Sequence, residues 1–282
     1  MDFLLVINWN ASPEIFDFHG FAPRWYSLAF LFGFLIGYYI MFRIYKNEHI
    51  PTDTLDTLLL YLIVGTVLGA RIGHCLFYEW DYFKNHLLEM ILPVQFEPEF
   101  RFTGYTGLAS HGGAMGVLVA QWLYAKFVLK RPLIWLLDRI GIPIMLVACF
   151  IRLGNLMNSE ILGSPSDVPW AFIFEQVDNT PRHPVQLYEA IVYFIIFLAL
   201  HRLYWKTDIT RIAGRLLGVF TVLLWSARFL LEFFKRSQGG LENTLGWLST
   251  GQWLSLPLIL IGLYFLFRSN YTKEGKNHIK NP

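Results

Sequence analysis

Seven stretches of this chain are apolar for so long that few folds can hold them: residues 25–44, 56–77, 112–129, 133–156, 184–205, 214–234 and 252–267. About 20 apolar residues, wound as a helix that rises about 1.5 Å per residue, cross roughly 30 Å of hydrocarbon. A helix satisfies its own backbone hydrogen bonds, which lipid cannot do for it. The expected fold is therefore all-α, a polytopic membrane protein of seven transmembrane helices, with residues 1–282 forming one integral membrane domain. Composition agrees. Apolar residues make up 55% of the chain and charged residues 16%, against soluble norms of roughly 45–50% and 25%. The aromatic share of 17% suits a bilayer, since Trp and Tyr favour the headgroup level.

Several classes of function fall away at once. A net charge of +2 is too small to suggest a nucleic-acid partner. The two cysteines, Cys75 and Cys149, lie in apolar runs and build neither a disulfide framework nor a metal-type spacing. No Gly-x-Ser-x-Gly elbow, His-Glu-x-x-His helix or P-loop occurs, which counts against serine lipolysis and metal hydrolysis. Arg24 is the one basic residue before the first span. That span is thus expected to act as its own insertion signal rather than as a cleaved leader.

Lys and Arg in the connections set the orientation. The side that holds the N-terminus carries six of them and the opposite side thirteen; Arg71, Arg139, Arg152 and Arg228 lie at or within the spans. The bias puts the N-terminus outside and the C-terminus in the cytoplasm. The longer extracytoplasmic segments are then 79–110 and 157–183, and 269–282 is a polar, basic cytoplasmic tail. Ala70-Arg71-Ile72-Gly73-His74 and Ile151-Arg152-Leu153-Gly154-Asn155 echo each other, each at the outer end of an even-numbered span.

Ionisable residues in spans are costly and mark functional sites when they recur. In this topology Arg71, Arg152, Arg228 and Glu232 all lie near outer helix ends. His111 opens the third span there, His183 precedes the fifth, and Tyr26 starts the first. Arg152 and Arg228 are permanent cations with the fork that binds phosphate or carboxylate bidentately. Glu232, four residues after Arg228, shares its helix face and can pair with it. Asn155 shares the Arg152 face if the helix reaches that far. Ser110-His111-Gly112-Gly113 sets a titratable imidazole beside two glycines that permit close approach of backbone to a ligand. Arginines with a histidine fit chemistry at the phosphoester of a membrane lipid.

Other readings fit the same residues. Arg71 also reads as a side chain that snorkels to the headgroups, Arg228–Glu232 as a structural ion pair, and His111 as a hydrogen-bonded histidine. Tyr26 reads as an aromatic-belt anchor, His183-Pro184 as the start and cap of the fifth helix, and His74 as structural. At the level of the whole chain, a transporter or channel lined by arginines, a seven-span receptor and another lipid-phosphate enzyme remain open. A transporter spreads its polar groups through the depth of the bilayer, whereas these crowd one end.

The run Arg152-Leu-Gly-Asn-Leu-Met-Asn-Ser-Glu160-Ile-Leu-Gly163 resembles the signature Gly-Arg-x-Gly-Asn-Phe-x-Asn-x-Glu-x-x-Gly of the prolipoprotein diacylglyceryl transferase family. Ile151 stands for the leading glycine and Leu156 for the phenylalanine, both apolar changes. Five more stretches resemble the family in the same order: Arg24-Trp25-Tyr26, Arg71-Ile-Gly73, His111-Gly-Gly113 with Gly116, His183-Pro-Val-Gln186-Leu-Tyr188-Glu189, and Arg228-Phe-Leu-Leu-Glu232. The family is also seven-spanning.

The resemblance implies transfer of the diacylglyceryl group of phosphatidylglycerol to the lipobox cysteine thiol of a prolipoprotein signal peptide, leaving a thioether and glycerol 1-phosphate. It implies a multi-pass protein of the bacterial inner membrane with its site toward the extracytoplasmic side and no metal or organic cofactor. By resemblance Arg152 and Arg228 hold the phosphate and headgroup, and Tyr26, His111, Asn155, Glu160, Gly163 and Glu232 occupy functional positions. Gly112, Gly113 and Arg71 are further expected lipid contacts. His111 is the expected base toward the substrate thiol, whose thiolate is the reactive form.

Overall fold

The computed structural model describes residues 6–19, 22–96, 99–104, 107–235 and 248–268. The expected tail 269–282 lies outside the described residues. Seven helices are long and apolar enough to cross a membrane. They are α1 (Trp25–Asn47), α2 (Asp53–Phe77), α5 (Ser110–Tyr124, continued by a π turn, Ala125–Leu129), α6 (Leu133–Met157), α7 (Val185–Lys206), α8 (Arg215–Leu231, continued by a 3-10 turn, Glu232–Phe234) and α9 (Thr250–Phe267). Two short helices, α3 (Trp80–Phe83) and α4 (Leu87–Ile91), stand between α2 and α5.

The chain packs as two compact units, Phe42–Leu136 and, from both flanks of it, Met1–Met41 with Leu137–Pro282. The smaller unit is built on α2 and α5. Gly65, Gly69 and Gly73 recur every fourth residue on α2, and Gly112, Gly116 and Ala120 do so on α5. These two small-residue ridges meet: a methyl group on Gly116 would strike the Gly65 carbonyl and come within 2.8 Å of Gly69 Cα. Lipid gives helices no hydrophobic reason to associate, so close backbone contact between small residues does that work. Beyond α2, the chain makes α3, α4 and a two-stranded hairpin of β2 (Val94–Gln95) and β3 (Arg101–Phe102), in register Val94↔Phe102.

In the larger unit α8 packs on α9 through Gly218 and Gly262. Gly214 precedes α8 with φ 86° and has no side chain to cap it. Asp138 of α6 does so instead, accepting the Gly214 and Leu217 amides at 2.7 and 2.8 Å. Segment 157–183 is more ordered than turn chemistry alone suggests. Its aromatic and β-branched Phe172–Phe174 forms β4, pairing in parallel with β1 (Ile7–Trp9) and antiparallel with β5 (Pro181–Arg182). Phe172 and Phe174 pack with Leu156 of α6, and Trp9 Nε1 donates to the Leu156 carbonyl at 3.0 Å. The sheet thereby fixes the end of α6 that carries Arg152.

Candidate active site

α6 is the most buried span, 61% against 17–33% for the others, and its last turns carry Arg152 and Asn155. The helix runs to Met157, so the two residues share a face as the i,i+3 spacing predicts, and Arg152 Nη1 donates to Asn155 Oδ1 at 3.2 Å. Asn155 Nδ2 donates in turn to Glu160 Oε2 (3.2 Å), and Asn158 Nδ2 to Glu160 Oε1 (3.3 Å). The backbone bends sharply here. Ser159 and Ile161, on either side of Glu160, have φ of 52° and 55°, left-handed values that cost a non-glycine residue about 1–3 kcal/mol each. Gln186 Nε2 grips the Glu160 carbonyl at 2.5 Å. Strain held by hydrogen bonds on both sides keeps the Glu160 carboxylate turned back toward Asn155.

Glu189, in the second turn of α7, is the hub. Its side chain has 0% exposure and meets two cations, Arg152 Nε 2.9 Å from Oε2 and Lys235 Nζ 3.0 Å from Oε1. The Arg152 contact is an ion pair out of line for a hydrogen bond. Tyr193, one turn on, donates to Glu189 Oε1 at 3.3 Å and lies in the field of both Arg152 and Arg228. A carboxylate in such a place is tolerable because it is paired.

The expected Arg228–Glu232 pair does not form. α8 ends at Leu231 and Glu232 opens a 3-10 turn, in which residues three apart eclipse. Glu232 therefore meets Lys235 at 3.4 Å. Its carboxylate also lies against Gly251, second residue of α9, where the positive end of the helix dipole favours a negative group. Arg228 is left with no carboxylate within 4.0 Å among the described residues, its guanidinium 5.6 Å from the Trp225 ring centre and its buried Nε without a hydrogen-bond partner.

Two further expected residues join this unit's cluster. Tyr26 packs its ring and Cα on Gly154, between Arg152 and Asn155, where a β-carbon would come within 2.8 Å of the ring. Gly163 bridges to Lys235 and sits under the His183 carbonyl, with no room for a side chain. That crossing of strands is a packing need for glycine. His183 does not cap α7 with its side chain: Pro184 is the N-cap, and His183 Nδ1 meets the Tyr188 hydroxyl at 3.2 Å. Burial lowers the His183 pKa.

The remaining expected residues belong to the smaller unit. His111 is the second residue of α5 and exposed. The Ala109 amide, donating to the Ala70 carbonyl at 2.9 Å, ties that helix end to α2 beside Arg71. Gly112 is taken up by packing on Gly69 and Gly73, and Gly113 faces Ala70 and Thr66. Arg71 does not snorkel. It is 5% exposed, donates to the Glu89 carbonyl at 3.0 Å and lies over the Phe83 ring at 4.8 Å.

The larger unit thus gathers Tyr26, Arg152, Asn155, Glu160, Glu232 and Arg228 about Glu189 and Lys235, a network in which, among the described residues, Arg228 is the cation without a carboxylate. Such a guanidinium takes up an anionic oxygen and steadies charge that grows on it. Sequence reasoning missed Glu189 and Lys235 as site residues. The available signal was an acid inside the apolar run 184–205 and a lysine directly after the span ending at Phe234. Among the described residues, no three His, Cys, Asp or Glu side chains gather as a metal site requires.

Comparison with known proteins gives a consistent set of relatives. Residues 13–268 match the family described as prolipoprotein diacylglyceryl transferase. A protein of Chloroherpeton thalassium named phosphatidylglycerol–prolipoprotein diacylglyceryl transferase is 48% identical over 269 residues, covering 95% of this chain and 96% of its own. Proteins of the same name from Bacteroides fragilis and Tolumonas auensis are 45% and 44% identical, covering 97% and 94% of this chain and 99% and 98% of theirs.

Proposed function

Because the chain belongs to the prolipoprotein diacylglyceryl transferase family, we propose that it moves the diacylglyceryl group of phosphatidylglycerol onto the lipobox cysteine thiol of a prolipoprotein signal peptide. The reaction takes place at the extracytoplasmic face of the bacterial inner membrane. The observation that carries the reading is Arg228: among the described residues its buried Nε has no hydrogen-bond partner and no carboxylate lies within 4.0 Å of it, and it shares its network with Arg152. A buried polar atom without a partner asks for a ligand, and the phosphate of an anionic lipid supplies the acceptor.

The step balances simply. A base takes the thiol proton, and the thiolate sulfur attacks the glyceryl carbon that bears the phosphate. A carbon–sulfur bond forms, the carbon–oxygen bond to phosphate breaks, and the electron pair leaves with glycerol 1-phosphate. The leaving group gains one negative charge, which Arg228 and Arg152 are suited to offset. Arg152 is held at fixed geometry by Glu189 and Asn155, so it need not reorganise as charge develops. Asn155 holds Arg152 and is itself held by Glu160, while Tyr26, Gly163 and Glu232 shape the site around them. The base is assigned to His111, in the other unit, on the chemistry of its imidazole, and Arg71 and Gly113 are assigned to the lipid, Gly112 being taken up by its contact with α2.

Purified protein incubated with labelled phosphatidylglycerol and a lipobox peptide tests the reading. The peptide should gain the mass of one diacylglyceryl unit while glycerol phosphate is released in equal amount. Hydrolysis of the lipid with an unmodified peptide, or no reaction, overturns it. His111→Gln at matched protein level should lose transfer; undiminished turnover removes the base role alone.

A further inference from the structure

The geometry points to a further residue of the transfer reaction: His74, a positioning residue that holds the first turn of α5, and with it the imidazole of His111, in place. The inference rests on His111 as the base. It is carried by the clasp that the last turns of α2 make on the chain entering α5.

α5 starts without a side-chain cap. Its N-cap is Ala109, whose methyl offers the free amides of the first turn no acceptor. His111 is the second residue of that turn, so fraying of the turn moves the imidazole. Ala70, Gly73 and His74, spaced i, i+3 and i+4 along one face of α2, hold the turn instead. The Ala70 carbonyl accepts the Ala109 amide at 2.9 Å. Gly73 lies against the backbone of Gly112, where a β-carbon would come within 2.6 Å of Cα. His74 takes the segment just before, at Gly107.

Gly107 has φ 71°, a left-handed value that glycine adopts without strain. It rests on the edge of the His74 ring: a β-carbon there would strike Nε2 and Cδ2 and come within 2.8 Å of Cε1. The ring is itself fixed. It stacks on Tyr78, one turn further along, with 5.6 Å between centroids and 14° between planes. Its Nε2 stands 3.5 Å from Glu79 Oε2, and the His74 side chain is 18% exposed. His111 lies four residues after Gly107, and the Ala109 and Gly112 contacts between and beyond them leave that stretch little freedom. His74 therefore acts through Gly107 and not on the substrate. The task is worth an anchored ring, because a misplacement of about 1 Å in a reacting group costs up to about a hundredfold in rate.

Transfer kinetics on the full-length protein, with labelled phosphatidylglycerol and a lipobox peptide, test this. His74→Ala removes the edge under Gly107 and should lower kcat about tenfold at unchanged KM, while hydrogen exchange in residues 107–112 speeds up. His74→Gln keeps a planar N–H group toward Glu79 and should recover most of the loss. Glu79→Ala, at an exposed carboxylate where no void opens, should free the ring and lower kcat in the same direction by less. On the residual transfer left in His111→Gln, neither His74→Ala nor Glu79→Ala should lower the rate further, because residues that act as one unit are not additive. Wild-type kcat in both variants, a loss of equal size with and without His111, or no recovery in His74→Gln each overturns the positioning role. Where His74→Ala does not fold, Glu79→Ala and His74→Gln decide by the same criteria. Full turnover in His111→Gln alone strikes the base assignment, and the inference falls with it; loss of transfer there together with any of the other outcomes strikes the positioning alone.

Discussion

Glu189 and Arg228 show what a charge inside a membrane protein demands of its neighbours. Glu189 is wholly enclosed and depends on Arg152 and Lys235. Removing the charge with Glu189→Gln leaves Arg152 without a carboxylate and Lys235 with Glu232 alone, a loss of up to about 3–5 kcal/mol, visible as a lowered melting temperature in detergent. Arg228 has no such partner among the described residues, so Arg228→Lys should leave melting nearly unchanged. It should nonetheless lower kcat/KM for transfer roughly 10–100-fold, because an ammonium loses a charged hydrogen bond worth about 1.5–3 kcal/mol. A large fall in melting temperature with that substitution would make Arg228 structural. Spacing in the sequence displays the Arg152–Asn155 pair because both lie on one helix. It conceals the Glu189 network because α6, α7 and the turn after α8 each contribute one member. It also misleads at Glu232, where the change from α to 3-10 winding swaps the partner from Arg228 to Lys235. Outside the spans, Glu89 gives a pH signature. Burial pulls its pKa up, but the Phe96 amide, the Tyr82 hydroxyl and the nearby His86 and Arg71 charges pull it down further, to a net value below the ordinary one. A carboxyl with a depressed folded pKa adds stability that is complete above its unfolded value and is lost as pH falls through the folded value. Hydrogen exchange in residues 87–96 should therefore speed up selectively on acidification through and below the ordinary glutamate range. Glu89→Gln should abolish that dependence; an unchanged acid response would assign it to another group.

The spans are legible because hydrocarbon enforces one pattern, a long apolar run, and the observed ends differ from the expected ones by at most three residues. The three-stranded sheet is not, since strands of two or three residues carry no periodicity and are stabilised by contact with Leu156 and Trp9. The α2–α5 ridge is an intermediate case. Its spacing is plain in the sequence, yet Gly112 and Gly113 read as well for close approach to a ligand. The structure gives Gly112 and Gly116 to the helix partner. Because the atoms facing Gly116 are backbone, which cannot turn aside, Gly116→Leu should cost at least about 1–3 kcal/mol and loosen α5 from α2. Gly116→Ala should cost less. Thermal unfolding in detergent, with a spin label on each helix to read their separation, checks both. Equal stability and unchanged spacing for Gly116→Leu would mean the pair is not held by this contact.

At the scale of the molecule the seven helices expose most of their apolar surface, with only 17–33% of six of the spans buried. Insertion rather than internal packing thus settles their placement, and orientation follows from the basic residues. Two introduced cysteines separate the number of spans from their direction. Ser12 precedes α1 and Asp208 follows α7, both exposed, with five spans between them. An odd number of crossings puts them on opposite sides whichever way the chain inserts. Cys75 and Cys149 are buried and should not react with a membrane-impermeant maleimide. On intact cells with the outer layers made permeable, Ser12→Cys should label at once and Asp208→Cys only after the inner membrane is opened. Equal labelling of both would reject the helix count. The reverse order would keep the count but turn the Arg152–Glu189–Lys235 network toward the cytoplasm, because Tyr26, at the start of α1, packs on Gly154. A site facing that way could not meet a thiol delivered on the extracytoplasmic side.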